Sequence, residues 1–443
     1  MSGGPGPSPP AGPPADPVGP GPRAAAGALR GRLRLLAPVA AGAGLILLLV
    51  LLMLSGCPEP AEPPSPGPRA RLGTVPTVRV LVASGPGLRL AATGGYRVLA
   101  DGRDVVHSAG PLAETPVVRD GRVWRLGEDV LRAESLALEP AAGSLVAVGG
   151  TRYRGRLVLA PVGRRGVWAV NHVDVESYLA GVLAKELLPD WLPTTYRAQA
   201  IAARTYALHE KAMFGASHAY DLRDDQSSQV YGGSSAETPT SRAAVADTRG
   251  IVLATGPAGR ERIFRAHYSA CCGGRTNNAG ILYDPVVDSG PLVGGAVCTD
   301  CSACRLFRWE AVAVPKTAVH RSLGRAFPAV RDLRGVAAIE VASSIADRPL
   351  WVRVIGGRGR SVRIRAEDVR LALLRSGDGK GLYSMNCPIR ADDRHIVFGP
   401  GRGFGHGVGL CQWGAQGMAA RGCSVREILG RYYPGARLFK AYP

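Results

Sequence analysis

Four stretches carry residues whose type and spacing suit chemistry. Glu186 closes an apolar stripe of Leu179, Val182 and Leu183, at the i, i+3, i+4, i+7 spacing of one helix face. A carboxyl on that side is partly desolvated, which favours its protonated form. Held protonated near neutrality, it can act as a general acid on a leaving oxygen. The plainer reading is a helix-terminal glutamate that turns out to solvent. The second stretch is the alanine-dense run 197–207, where Gln199, Arg204 and Tyr206 are polar residues amid close packing. An ordinary amphipathic helix would look the same.

The third stretch is His267-Tyr268-Ser269-Ala270-Cys271-Cys272-Gly273-Gly274-Arg275-Thr276, followed by Cys298-x-x-Cys301-x-x-Cys304. Three cysteines at this spacing, with Cys272 or His267, fit a tetrahedral zinc. Leaving out Cys57, eight cysteines remain, an even number that fits disulfides equally well in an oxidising compartment. The fourth stretch is the glycine-dense run 401–414, which contains His406 and Gln412. Its glycines let backbone approach a ligand closely. It is not a phosphate-binding Walker loop, because no Lys-Ser/Thr follows.

The elements that must hold these residues divide the chain. Asp174 is placed to cap a helix that Pro189 and Pro193 end, and Thr194 or Thr195 to cap a second from Tyr196 to about Lys211. Residues 77–173 read as a β-rich part, with strands around 78–82, 96–99, 155–159 and 167–170. Residues 174–310 form the core with the catalytic helix and the cysteines. Residues 311–395 read as a mixed α/β insertion with a helix near 366–375, and 396–443 as the glycine-rich motif with a closing helix. The fold class is therefore α+β.

Upstream, residues 1–29 are nearly all Gly, Pro, Ala and Ser and predict a disordered leader. Arg30, Arg32 and Arg34 precede an apolar run over 35–54, the pattern of an export signal or a membrane anchor. Leu54-Ser55-Gly56-Cys57 resembles a bacterial lipobox, which would make Cys57 a lipidation site, and 57–76 a proline-rich tether. Both readings, cleaved lipoprotein and uncleaved anchor, place the rest in the cell envelope outside the cytoplasmic membrane. One long apolar run excludes a polytopic membrane protein, and 46% hydrophobic residues exclude wholesale disorder. The net charge is +19, and only five of the 54 basic residues are lysine. That bias fits a GC-rich genome or an anionic partner. Export makes nucleic acid an unsuitable one.

In this order the motifs resemble the SpoIID/LytB family of peptidoglycan-acting proteins. The matching stretches are Val175-x-x-Tyr178-Leu179-x-Gly181-Val182 through Glu186-Leu187-x-Pro189, then Ala198-Gln199-Ala200-Ile201-Ala202-Ala203-Arg204-Thr205-Tyr206-Ala207. After them come Asp225-Gln226-Ser227-Ser228-Gln229-Val230-Tyr231-Gly232, the Cys272-Gly273-Gly274-Arg275-Thr276 turn, and the run from Gly401 through Gln412-Trp413-Gly414 to Tyr432-Tyr433-Pro434-Gly435. The resemblance implies a lytic transglycosylase that acts on glycan strands, best known on strands stripped of stem peptides, with Glu186 as acid and then base. It implies that Gln199, Arg204, Tyr206, Gln229, Tyr231, Gly273, Gly274, Thr276, His406 and Gln412 bind substrate or shape its groove. It requires no cofactor. Zinc on Cys272, Cys298, Cys301 and His267 is similar to the arrangement in some family members. The family also contains amidase enhancers, so the alternative is a non-catalytic partner of an N-acetylmuramoyl-L-alanine amidase or a glycan-binding lipoprotein of the cell envelope.

Overall fold

Alternation of apolar and polar residues builds the N-terminal part of the structure, a computed structural model that describes residues 67–215, 217–282, 290–345 and 348–443. In the strand Thr77–Gly85, Val78 and Val80 are fully buried while Arg79 turns away to bond Asp221. This strand lies in a seven-stranded sheet, in the order Leu222–Arg223, Thr77–Gly85, Gly166–Asp174, Arg156–Val162, Leu136–Pro140, Tyr96–Ala100 and Arg103–Ser108. A six-stranded sheet runs from Thr151–Tyr153 through Val146–Val148, Gly87–Ala92, Leu112–Asp120 and Val123–Leu126 to Asp129–Arg132. Trp124, Val117, Leu138 and Leu157 are buried in the core these sheets share. Three of the four expected strands fall within observed ones, and the fourth starts one residue later than expected, at Arg156.

Helix α1 (Val175–Glu186) follows directly. Asp174 caps it as expected, its carboxylate accepting from Ser177 N at 2.9 Å. Val175, Tyr178, Leu179, Val182 and Leu183 of α1 belong to the same core as the sheets. Helix α2 (Pro193–Phe214) starts earlier than expected. Pro193 opens it, because a proline at the first position gives up an N–H that would have no helical partner. Thr195 is not its cap; its hydroxyl donates to Gln416 Oε1 at 2.8 Å. Ala198, Ala200, Ala202, Ala203 and Ala207 are all fully buried, so the alanine run is a packing face on every side. Helix α3 (Pro239–Asp247) carries a Thr238/Ser241 capping box and packs beside α1 and α2.

The insertion has its own core, from Trp309 to Phe398, built by two three-stranded sheets with α4 (Lys316–Ala326), α5 (Pro328–Arg331) and α6 (Ala366–Arg375). The chain then returns through α7 (Gln412–Ala420) and α8 (Val425–Tyr432), the latter capped by Ser424 and Glu427. The last strand, Arg437–Lys440, pairs with Ile251–Thr255. Pro66–Pro443 is one compact unit.

The proline-rich segment is not a free tether as far as Pro76. Pro68 accepts from Ile263 N, Ala70 N donates to Glu261 O, Leu72 N donates to Ala441 O, each at 2.9 Å, and Ala70 is fully buried. These backbone bonds extend the sheet edge at Arg262–Ile263. The leader, the apolar run 35–54 and Cys57 lie outside the described residues. Among the described residues no helix is long and apolar enough to cross a membrane.

Candidate active site

Glu186 ends α1, and both its oxygens are held by donors from other elements. Val230 N donates to Oε1 at 3.1 Å and Gln412 Nε2 donates to Oε2 at 3.2 Å. The Tyr268 hydroxyl is the third donor. Its proton is directed by a relay: Tyr178 OH donates to Gln229 Oε1 at 3.1 Å, and Gln229 Nε2 donates to Tyr268 OH at 2.9 Å. Tyr268 oxygen therefore accepts from Gln229 and gives its own proton to Glu186. Burial is the largest influence and raises the Glu186 pKa; Val230, Gln412 and Tyr268 pull it back only in part. The residue as a whole is half-buried. The outward-turned reading does not hold.

No second carboxylate is among the groups that shift Glu186. Asp224, the nearest sequence candidate, is raised to about 6 by burial and then by Asp225, and its charge acts on Tyr153 and Tyr178. The rings of Tyr206, His267 and His406 stack edge to face, each step 5.5 Å between centroids. His406 Nδ1 accepts from Val408 N at 3.0 Å, and burial lowers its pKa to about 4, so its ring is neutral and its other nitrogen carries the proton. Trp191 and Trp413 meet edge to face at 5.1 Å where α1 passes into α2 and α7 begins.

A two-residue parallel ladder, Tyr268–Ser269 with Leu410–Cys411, brings Tyr268 and Gln412 together. At its end the thiols of Cys272, Cys298, Cys301 and Cys411 all lie within 4.8 Å of one another and are buried. Cys411 is the member the sequence reading missed, and His267 is not one of the four. His267 is stacked between Tyr206 and His406. The Cys272 and Cys301 sulfurs are 3.7 Å apart. A tetrahedron of thiolates about 2.3 Å from a zinc has edges of about 3.8 Å, whereas a disulfide bond is about 2.05 Å. Among the described residues the eight cysteines are unpaired.

Residues 163–254 match the SpoIID family, described as Stage II sporulation protein. An uncharacterised protein of Brachyspira hyodysenteriae is 30% identical over 325 residues, 73% of this chain and 81% of the relative. The chain belongs to the SpoIID/LytB family. Stage II sporulation protein D of Bacillus subtilis is 26% identical over 64% of this chain and 80% of that protein. The amidase enhancer of Bacillus subtilis is 24% identical over 59% of this chain and 40% of its own length.

Within this SpoIID/LytB chain, several expected groove residues are buried and bonded to other parts of the protein. Arg204 has no exposed surface. Its Nε and Nη2 bond the two oxygens of Glu176 at 3.1 and 2.6 Å and its Nη1 reaches Ile251 O at 3.0 Å. Glu176 also accepts from Gly250 N and Tyr442 OH, so every strong donor and acceptor is used inside the core. Tyr231 packs between Tyr153 and Tyr178 and bonds Asn171 Oδ1 at 3.1 Å. Thr276 is buried, its hydroxyl oxygen accepting from Ala296 N. Tyr206 is 4% exposed and supports the histidine stack. Gln229 is buried and acts through Tyr268. Gln199 is fully buried, and neither polar atom of its amide has a protein partner. Gly273, at φ +72°, lets the turn lie against Arg402: a Cβ there would stand 2.9 Å from the Arg402 Cβ. Gln412 alone of the expected binding residues touches Glu186 directly. Tyr268 and the Val230 N–H are functional groups that the sequence reading did not single out, although both lie in motifs it quoted.

Proposed function

We propose that this protein is a peptidoglycan lytic transglycosylase that cleaves glycan strands between MurNAc and GlcNAc without water. The observation that supports this most is a single carboxyl, raised in pKa by burial and fixed by three donors, with no second carboxylate acting on it. Hydrolytic glycosidases generally pair two carboxyls, one to activate water or attack the sugar. A transglycosylase dispenses with the second, because the sugar's own C6 hydroxyl is the nucleophile. Protonated Glu186 gives its proton to the leaving O4 as the C1–O bond breaks. The C6 oxygen bonds to C1, closing the 1,6-anhydro ring, and its proton passes to Glu186. The acid is regenerated in one turnover and no atom is gained or lost. Val230 N, Gln412 and Tyr268 stabilise the carboxylate that exists between the two transfers. Gln412 and His406 present further donors near the sugar.

The second reading is an amidase enhancer, favoured by the relative that carries that name. The two separate when purified protein is incubated with peptide-free strands and the ends are analysed by mass spectrometry: the enzyme makes 1,6-anhydroMurNAc ends alone, the enhancer only raises a partner amidase's rate. We also propose that Cys272, Cys298, Cys301 and Cys411 hold a structural zinc. The 3.7 Å sulfur spacing supports it, and a zinc there would cross-link the strand of Tyr268 to the start of α7. It has no part in the chemical steps. Export and anchoring through 35–57, by lipid on Cys57 or by the apolar run itself, complete the proposal.

A further inference from the structure

The proposed reaction needs a long polyanionic or neutral polymer to lie across the molecule, and one part of the surface is charged for a particular one. Arg308 and Arg402 are direct partners in the antiparallel ladder of Arg308–Trp309 with Gly401–Arg402. Their neighbour Trp309 is buried, so both arginines stand on the outer face, and both are exposed. Like charges placed opposite each other on a strand pair are destabilising unless something between them compensates. The Arg402 Cβ abuts Gly273, and Arg275 follows two residues on, exposed as well. Val297, bridged to Arg275, accepts at its carbonyl from Arg431. Among the described residues none of these four arginines forms an ion pair, whereas Arg97, Arg154, Arg197 and Arg353, equally exposed, each have an acidic partner. The strip lies beyond the short strand Tyr268–Ser269, at the turn of Gly273 and Gly274. Gly273 is five residues from the tyrosine that touches Glu186, a separation of at most about 17 Å. Phe404, 39% exposed, adds an apolar ring two residues beyond Arg402.

We propose that Arg275, Arg308 and Arg402 bind carboxylates carried by the glycan strand and so make this protein select strands by charge. This rests on the transglycosylase reading for its substrate class. Guanidinium groups suit planar carboxylates, which they bind through paired N–H donors. Two carboxylates occur on such a polymer: the lactyl group of a peptide-free MurNAc and the acids of a stem peptide.

The test is binding, kept apart from catalysis by using the full chain with Glu186→Gln throughout. Affinity is measured for peptide-free strands, for the same strands with lactyl carboxylates converted to carboxamides, and for peptide-bearing strands. Peptide-free or peptide-bearing strands should bind about tenfold more tightly than the amidated ones at low salt, and the difference should vanish in R275A/R308A/R402A. Added salt should erase it too. Whichever native strand shows the arginine-dependent gain identifies the carboxylate. The three side chains are exposed, so an unchanged melting temperature checks that the variant is folded, and the single R402E should invert the preference. Equal affinity for native and amidated strands, or a triple variant that still discriminates, would overturn the proposal. Loss of anhydro product in the wild type with binding intact would instead overturn the catalytic reading and leave this one standing.

Discussion

At the scale of residues, the site is a contest over one proton. Burial raises the Glu186 pKa and three donors lower it, with burial the larger. Glu186 acts first as an acid, so activity should be high below its raised pKa and fall as pH rises through it. Gln412→Leu removes a donor to the charged form. Its pKa then rises further, and the alkaline limb of the kcat profile should move to higher pH. A limb that stays put, or moves to lower pH, would mean Gln412 does not hold the carboxylate. Gln199 poses a different question. Two buried polar atoms without protein partners cost stability, on the order of 1–3 kcal/mol each. If Gln199 is only packing, Gln199→Met should raise the melting temperature and leave KM for strands unchanged. A raised KM would place its amide on the sugar after all.

At the scale of elements, three short pieces carry the site: the end of α1, the ladder of Tyr268–Ser269 with Leu410–Cys411, and the start of α7. The Arg204–Glu176 pair locks α2 to α1, with side chains 0% and 7% exposed. Removing one member leaves a buried charge, so Glu176→Gln should cost about 3–5 kcal/mol in urea unfolding. If Arg204 served substrate instead, KM would rise and stability would stay. The proposed zinc on the four thiols would tie the other two pieces together. Zinc analysis should find one ion per chain, and Cys411→Ser should lower both zinc content and melting temperature, as should a chelator. Protein with full zinc after Cys411→Ser would remove Cys411 from the ligand set.

These elements also show where the sequence was readable. Helix α1 was, because its cap, its apolar stripe and its glutamate are all local. So was α6, which occupies the expected 366–375. Strands such as Arg103–Ser108, with no fully buried residue, were not, because alternation shows only when one face is covered. Cys411 was missed as a neighbour of the other thiols because its contact with Cys272 spans 139 residues. The Arg204–Glu176 pair was not legible, because an arginine among alanines looks the same whether its partner is a sugar or a glutamate 28 residues earlier.

At the scale of the molecule, the β-rich part is no separate domain. Its Val80, Trp124 and Leu157 share one core with Leu179, Leu183 and Ala200 of α1 and α2. Residues 1–56 carry four arginines and one aspartate, a net of +3, which leaves +16 on 57–443. The unpaired strip beside Gly273 is one place where that excess would meet an anionic polymer. The insertion keeps its own core and touches the rest at several points, among them Arg348, whose guanidinium caps the carbonyls of Cys272 and Arg275, and Arg365, which bonds Gly280 O. Arg348→Met should therefore loosen the turn beside the thiols, seen as faster amide exchange at 272–276, while the insertion's own amides stay protected. Exchange spreading through 311–398 would show that the insertion has no independent stability. The central claim, one carboxyl as both acid and base, is tested most directly by incubating the purified full chain and its Glu186→Gln variant with peptide-free glycan strands and counting 1,6-anhydroMurNAc ends by mass spectrometry. The account predicts such ends from the wild type and at least a hundredfold fewer, roughly, from the variant. Equal yields from the two, or reducing ends in place of anhydro ends, would contradict it.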